Sequence, residues 1–240
     1  MAILVPTNPR PLLQEEKNLD DNEYGVYIRK PKATEILNRL IACKTKNKKT
    51  RDDNRKIKLL ADEFEKISFD LVKVTCEGEF DYPPNKQQAS LRIKGEKGTR
   101  SDITLLNEHN SKGKGLIWDT FRKSTEDGGY NCSQIIFECK NYANATKITS
   151  SEIHQIHSYL HPEDIGKIGF IINRYGYRNL DQGAILALNR FKLDKYVIII
   201  IGDKDIREWL DLWAQTGSSS AFFAKKYSDY KQQIRSQVNN

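Results

Sequence analysis

Asp102, Glu138 and Lys140 have the types and spacing needed for metal-assisted chemistry on a phosphate ester. Glu138 and Lys140 end the segment SQIIFECK (residues 133–140), directly after the apolar run Ile135, Ile136 and Phe137. Residues two apart on a strand share a face, so Glu138 and Lys140 are expected to project together, with Cys139 turned into the core. Asp102 opens a second strand-like segment, SDITLLNE (residues 101–108). Phosphodiester hydrolysis builds negative charge on the phosphate and on the leaving oxygen. One or two Mg²⁺ ions can neutralise that charge and activate a water. Mg²⁺ prefers hard oxygen ligands, which a carboxylate from each of two neighbouring strands would supply. A lysine beside them can orient or deprotonate the attacking water and stabilise charge. Which of these roles Lys140 takes is open at the level of sequence.

Positioning these groups requires a sheet with helices around it. Residues 1–30 read as an extended arm with a short strand at 24–28. Helices are expected over 32–42 and over about 55–67, where Ile57, Leu60, Phe64 and Ile67 share a face. The period then changes, and LVKVTCEGEF (71–80) alternates like a strand. SLRIKG (90–95) reads as its partner. Residues 109–131, with SKGKG and EDGG, read as a loop or hairpin insertion. After residues 133–140 comes a helix in TSSEIHQIHSYLHPED, with Ser150 or Ser151 as its cap and Pro162 as its stop. A strand at 167–174, a helix in DQGAILALNRFKLD, the β-branched strand KYVIIIIG, a helix ending at Gly217 and a last helix complete the chain. The fold class expected is α/β: a central mixed β-sheet of about five strands flanked by helices, with an N-terminal helical extension. Residues 1–54 form the arm and helix of that extension, for docking, dimerisation or DNA contact. Residues 55–240 form the main domain.

Arg100-Ser101-Asp102 followed by Glu138-Cys139-Lys140 resembles the PD-(D/E)XK signature of the restriction-endonuclease-like nuclease superfamily, with Ser101 at the motif's proline position. The phrase FECKNY is similar to the corresponding strand of the Mrr-like and archaeal resolvase-like branches. The resemblance covers roughly residues 56–217. It implies a restriction-endonuclease-like core, Asp102 and Glu138 as metal ligands together with the backbone carbonyl of Cys139, and Lys140 as the catalytic lysine. Gln155 and Tyr159, four apart on one helix face, resemble the QxxxY feature of some branches and would assist at the metal, water or DNA. ADEFEKISFD resembles the first core helix, whose glutamate reaches the metal, with Glu65 the first choice and Glu63 the second. The separation of 36 positions between Asp102 and Glu138 is long for a hairpin, and Asp81 and Asp119 are the alternative aspartates.

The chain has 240 residues, a net charge of +7 and a pI near 9.1. That basic excess favours a polyanionic partner, nucleic acid before membrane. Candidate DNA contacts are Lys112, Lys114, Arg122 and Lys123 in the insertion, interleaved with Trp118 and Phe121, and Lys48, Lys49 and Arg51 in the basic run 44–58. A solvated linker is the equal alternative for that run. His154, His157 and His161 share a helix face and are expected exposed or near the DNA backbone rather than as a zinc site. Trp209 and Trp213 read as core. Four cysteines without CxxC spacing fit free thiols in a reducing compartment, and no apolar run is long enough to span a bilayer. The expectation is a cytoplasmic Mg²⁺-dependent endodeoxyribonuclease, with Mn²⁺ able to substitute. It would act on double-stranded DNA as a homodimer, in prokaryotic restriction or antiviral defence. A nuclease effector activated by a ligand or partner, and a non-catalytic nucleic-acid-binding module of the same fold, are the rivals.

Overall fold

The computed structural model describes residues 21–43, 51–76, 79, 89–91, 102–107, 117–142, 146–163 and 165–238. Helices α1 (Asp21–Ala42) and α2 (Arg51–Cys76) precede a five-stranded sheet in the order β1-β2-β3-β4-β5. Strands β1 (Ala89–Leu91), β2 (Ile103–Leu106) and β3 (Gln134–Lys140) pair antiparallel. Strands β4 (Ile168–Asn173) and β5 (Val197–Ile201) continue from β3 in parallel. The sheet is therefore mixed, as expected. Parallel strands need crossovers, and α4 (Ser150–Tyr159) and α5 (Gln182–Leu193) supply them. Helix α3 (Ile117–Arg122) lies between β2 and β3, and α6 (Asp203–Thr216) and α7 (Ser220–Val238) follow β5.

Alternation along the strands sorts the core into two layers. Ile135, Phe137, Phe170, Ile172, Ile199 and Ile201 face one side, where they join residues of α1, α2, α3, α6 and α7. Ile136, Ile171, Ile198 and Ile200 face the other, against Ile153 and Ile156 of α4 and Ala184 and Phe191 of α5. All five residues of β5 are buried, as its run of β-branched residues predicts for a strand covered on both faces. Trp209 and Trp213 are core residues, and Gly217 ends α6 at φ 72° in the left-handed region.

Several local expectations are corrected. Residues 71–76 are not a strand but the last turns of α2. Phe64, Ile67, Leu71 and Cys76 are fully buried while Lys66 and Lys73 are exposed, so a helical stripe at steps of three to five overrides the short alternation. Residues 24–28 belong to α1, whose Ala33, Ile36 and Leu40 enter the main core, and the boundary expected at 54/55 falls inside α2. The later part of the 109–131 insertion is no projecting loop. Trp118 and Phe121 of α3 are fully buried, ring-packed against Phe223 and Phe170 respectively. His157 is half-buried and stacks on Phe191 at 3.7 Å, whereas His154, edge-on to the same ring at 5.0 Å, is exposed as expected. Among the described residues no helix is long and apolar enough to cross a membrane.

Candidate active site

The sheet carries Glu138 and Lys140 to the C-terminal end of β3, the region where α/β sheets open a cleft. Asp102 sits one residue before β2. The antiparallel register pairs Ile103 with Phe137, so its continuation sets Asp102 opposite Glu138 on the same face. The Asp102 Oδ2 accepts the Cys139 N–H at 2.8 Å, which ties the aspartate to the middle of the E-C-K triplet. The Cys139 carbonyl, the backbone ligand implied by the resemblance, belongs to that same triplet. The Cys139 side chain is partly buried against the core, and burial raises its thiol well above the ordinary range.

Helix α4 completes the cluster from above. The Lys140 Nζ donates to Glu138 Oε1 at 2.7 Å and to Gln155 Oε1 at 3.2 Å. The Gln155 Nε2 donates to the same Glu138 oxygen at 3.0 Å and to the Tyr159 hydroxyl at 2.8 Å. Residues Asp102, Glu138, Lys140, Gln155 and Tyr159 are thus gathered in one place. Glu65 of α2 is buried and close enough to Glu138 to oppose its ionisation. Glu63 is drawn away, its carboxylate 3.3 Å from Arg39. Of the alternative aspartates, Asp119 pairs with Arg122 at 3.2 Å, and Asp81 lies outside the described residues.

The pose of α4 rests on its N-terminus. The cap is Thr149, one residue before the serines expected for that role. Its Oγ1 accepts the Ser151 N–H, and Glu152 Oε2 accepts the Thr149 N–H at 2.8 Å. Tyr142, just past β3, donates its hydroxyl to Glu152 Oε1 at 2.7 Å, so the strand end and the helix start are coupled. Replacing a threonine cap by alanine costs about 1 kcal/mol. Thr149→Ala is expected to lower stability to urea by that amount, with an unchanged denaturant slope.

Electrostatically the site is under tension. Glu138 is 2% exposed, and its Oε2 has no hydrogen-bond partner. Burial first, and Asp102 second, push its pKa from 4.5 to about 7, against the pull of Lys140. Burial alone would lower the Lys140 pKa, but Glu138 and then Asp102 outweigh it and hold the ammonium charged. Unfolded Glu138 ionises near its ordinary value, whereas in the fold it keeps its proton until about pH 7. Its contribution to stability is therefore greatest below about pH 4.5 and is lost as pH rises through 7. In EDTA, melting curves at pH 5 and pH 8 are expected to show a larger loss for wild type than for Glu138→Gln. The difference should be on the order of 1–3 kcal/mol. Added Mg²⁺ should raise the wild-type melting temperature at pH 8.

A divalent cation fits this donor set. It would give the orphaned Glu138 oxygen a partner and relieve its repulsion with Asp102. Among the described residues no three His, Cys, Asp or Glu side chains form a ready-made cage. Mg²⁺ does not require one, since it keeps several waters around one or two carboxylates.

Two of the basic residues expected at DNA lie away from this cluster. Lys123 accepts the Asn131 N–H through its carbonyl, ahead of β3, and so lies with Arg122 at the end of that strand remote from Lys140. Arg51 begins α2, and Lys48, Lys49, Lys112 and Lys114 lie outside the described residues. Asn141 is a residue that the sequence reading misses. It is buried, and its amide donates to the carbonyls of Cys43 and Leu60 at 3.0 and 2.8 Å, pinning the end of β3 to α1 and α2. Its sequence signal is a polar residue one step past the strand, in phase with the core-facing Cys139. Comparison with protein-family models, curated proteins and solved structures returns no match for this chain.

Proposed function

We propose that this protein is a divalent-metal-dependent endonuclease with a restriction-endonuclease-like core, hydrolysing phosphodiester bonds in double-stranded DNA. The observation that carries the reading is the pairing of a buried, half-satisfied Glu138 with Asp102 on one side and the charged Lys140 on the other. Buried carboxylate oxygens usually find a hydrogen-bond partner; here one has none, in a wall that already holds a second acid.

Asp102 and Glu138 would hold Mg²⁺, with Glu65 assisting through water, and Mn²⁺ would substitute. The ion supplies charge neutralisation at the phosphate and acidifies a water. An ammonium has three donors, and Lys140 uses two on Glu138 and Gln155. The third is available to the incoming phosphate or water. The neighbouring carboxylates favour the protonated form of Lys140, which suits it to orient the water and to stabilise negative charge. Gln155 keeps the Glu138 oxygen aligned, and Tyr159 keeps Gln155 aligned. The net charge of +7 favours the polyanionic substrate. Cutting both strands calls for two active sites, hence a homodimer, and restriction or antiviral defence is the biological setting.

Supercoiled plasmid incubated with Mg²⁺, with Mn²⁺ and with EDTA tests the reading. Relaxed or linear product that needs either metal is expected. Plasmid that is bound yet stays supercoiled with both metals would reduce the protein to a binding module.

A further inference from the structure

At the end of the parallel strands opposite Lys140 lies a pocket of about 290 Å³ walled by lysines and tyrosines. Lys167 directly precedes β4, Tyr196 directly precedes β5, and Lys192 and Lys195 come from the end of α5 and the turn after it. Tyr230 and Lys231 reach in from α7. Lys140 is in register with Asn173, six residues beyond Lys167, so the pocket stands roughly 20 Å from the candidate active site at about 3.3 Å per residue.

Among the described residues no carboxylate forms an ion pair with Lys167, Lys195 or Lys231. Asp194, Glu126, Asp127 and Asp229 are near in sequence but do not line the pocket. Three ammonium groups at the pocket lie over rings. Lys167 lies 5.3 Å from the centroid of Tyr196, Lys192 lies 5.9 Å from that of Tyr230, and Lys231 lies 4.6 Å from that of Tyr227. Lys195 stands at φ 62°, a backbone region that favours glycine or asparagine, so a cationic side chain is presented there against local preference.

A cation–ring contact is weaker than the charge-assisted hydrogen bond of a lysine to a phosphate. A phosphate entering the pocket would draw Lys167 off Tyr196 and leave that ring face open for a flat base. We propose that this pocket binds a nucleotide, with its phosphates on Lys167, Lys195 and Lys231 and its base against Tyr196 and Tyr230. The volume is that of a small-ligand site, not of a groove for a duplex.

Isothermal titration of the full-length protein with ATP, tripolyphosphate and a 20-base-pair duplex, in EDTA and about 0.15 M salt, tests this. ATP is expected to bind saturably with a Kd on the order of 10 µM. Lys195→Gly combined with Lys231→Ala should weaken it at least tenfold; both side chains are exposed, so the fold is spared. Tyr196→Leu should weaken ATP several-fold and leave tripolyphosphate unchanged. Glu138→Gln should bind ATP as wild type does, whether or not the nuclease reading holds. Absence of saturable ATP binding overturns the proposal. Equal binding of tripolyphosphate with no effect of Tyr196→Leu overturns the nucleotide class. Displacement of ATP by the duplex, lost in the Lys195/Lys231 variant, overturns it in favour of a DNA-contact surface.

Discussion

Glu138→Gln and Asp102→Asn are each expected to reduce metal-dependent plasmid cleavage by on the order of a thousandfold, with the fold intact. Both replacements keep the shape and a hydrogen-bond acceptor. The asparagine carbonyl oxygen would still accept the Cys139 N–H, and the glutamine amide would still face Lys140 and Gln155. What is lost is the charge that would hold the cation and, through it, the charge developing on phosphate. Preorganised groups of this kind contribute roughly a hundred- to a thousandfold each in rate. The melting temperature of Glu138→Gln should rise at pH 8, because the variant no longer ionises a buried carboxyl there. Loss of cleavage with gain of stability would mark the residue as functional; loss of both would mark it as structural. Lys140→Ala should lose a hundredfold or more, and Lys140→Arg should not restore it, since a planar fork cannot replace a point cation between Glu138 and Gln155. If Asp102→Asn cleaves as well as wild type, the metal aspartate is another residue and the two-carboxylate reading of β2 and β3 fails. Cleavage measured over a time course in Mg²⁺ and Mn²⁺ for each variant decides this.

The second large effect concerns stability. Glu79 is 4% exposed, and burial raises its pKa against four hydrogen bonds that favour its charge. One oxygen accepts from the Ser218 hydroxyl at 2.9 Å and from the N–H groups of Ser219 and Ser220. The other accepts the Trp118 indole N–H. Glu79 is thus a remote cap on α7, placing a carboxylate at the positive end of that helix, and it also anchors α3. Removing the carboxylate leaves four buried donors to find new partners, at about 1–3 kcal/mol for each that does not, and Glu79→Ala should lose at least that much in denaturant unfolding. Glu79→Gln is informative despite its similar shape. Every neighbour is a donor, so the amide NH₂ must face another donor, leaving an unmet group worth about 1–3 kcal/mol. In a Trp118→Phe background, where the indole donor is gone, the cost of Glu79→Gln should shrink. A double-mutant cycle with no coupling would show that Glu79 and Trp118 do not act through this bond.

The placement of the candidate site residues was legible where it depended on short-range geometry. Glu138 and Lys140 sit two apart on a strand whose apolar run announces its burial, and Gln155 and Tyr159 sit four apart on a capped helix, so each pair shares a face by local periodicity alone. The β-branched run of β5, the tryptophans of α6 and the glycine stop at 217 were legible for the same reason. The signals that failed were equally local. Residues 71–76 carry a few alternating apolar positions that suit either element, and only packing against the sheet selected the helix. The basic residues around Trp118 and Phe121 favoured a groove or backbone contact over a hairpin tip packing Trp118 on the body, yet burial of two large rings outweighed that neighbourhood.

What the tertiary structure alone decided was convergence across long sequence separations. The antiparallel register brings Asp102 opposite Glu138 across an insertion whose α3 folds into the core. The turn before α7 finds Glu79 far upstream, and four lysines scattered from 167 to 231 meet at one pocket. Periodicity fixes which way a side chain points from its own element. It carries no information on which elements become neighbours, because that choice is made by burying the two faces of the sheet under different sets of helices.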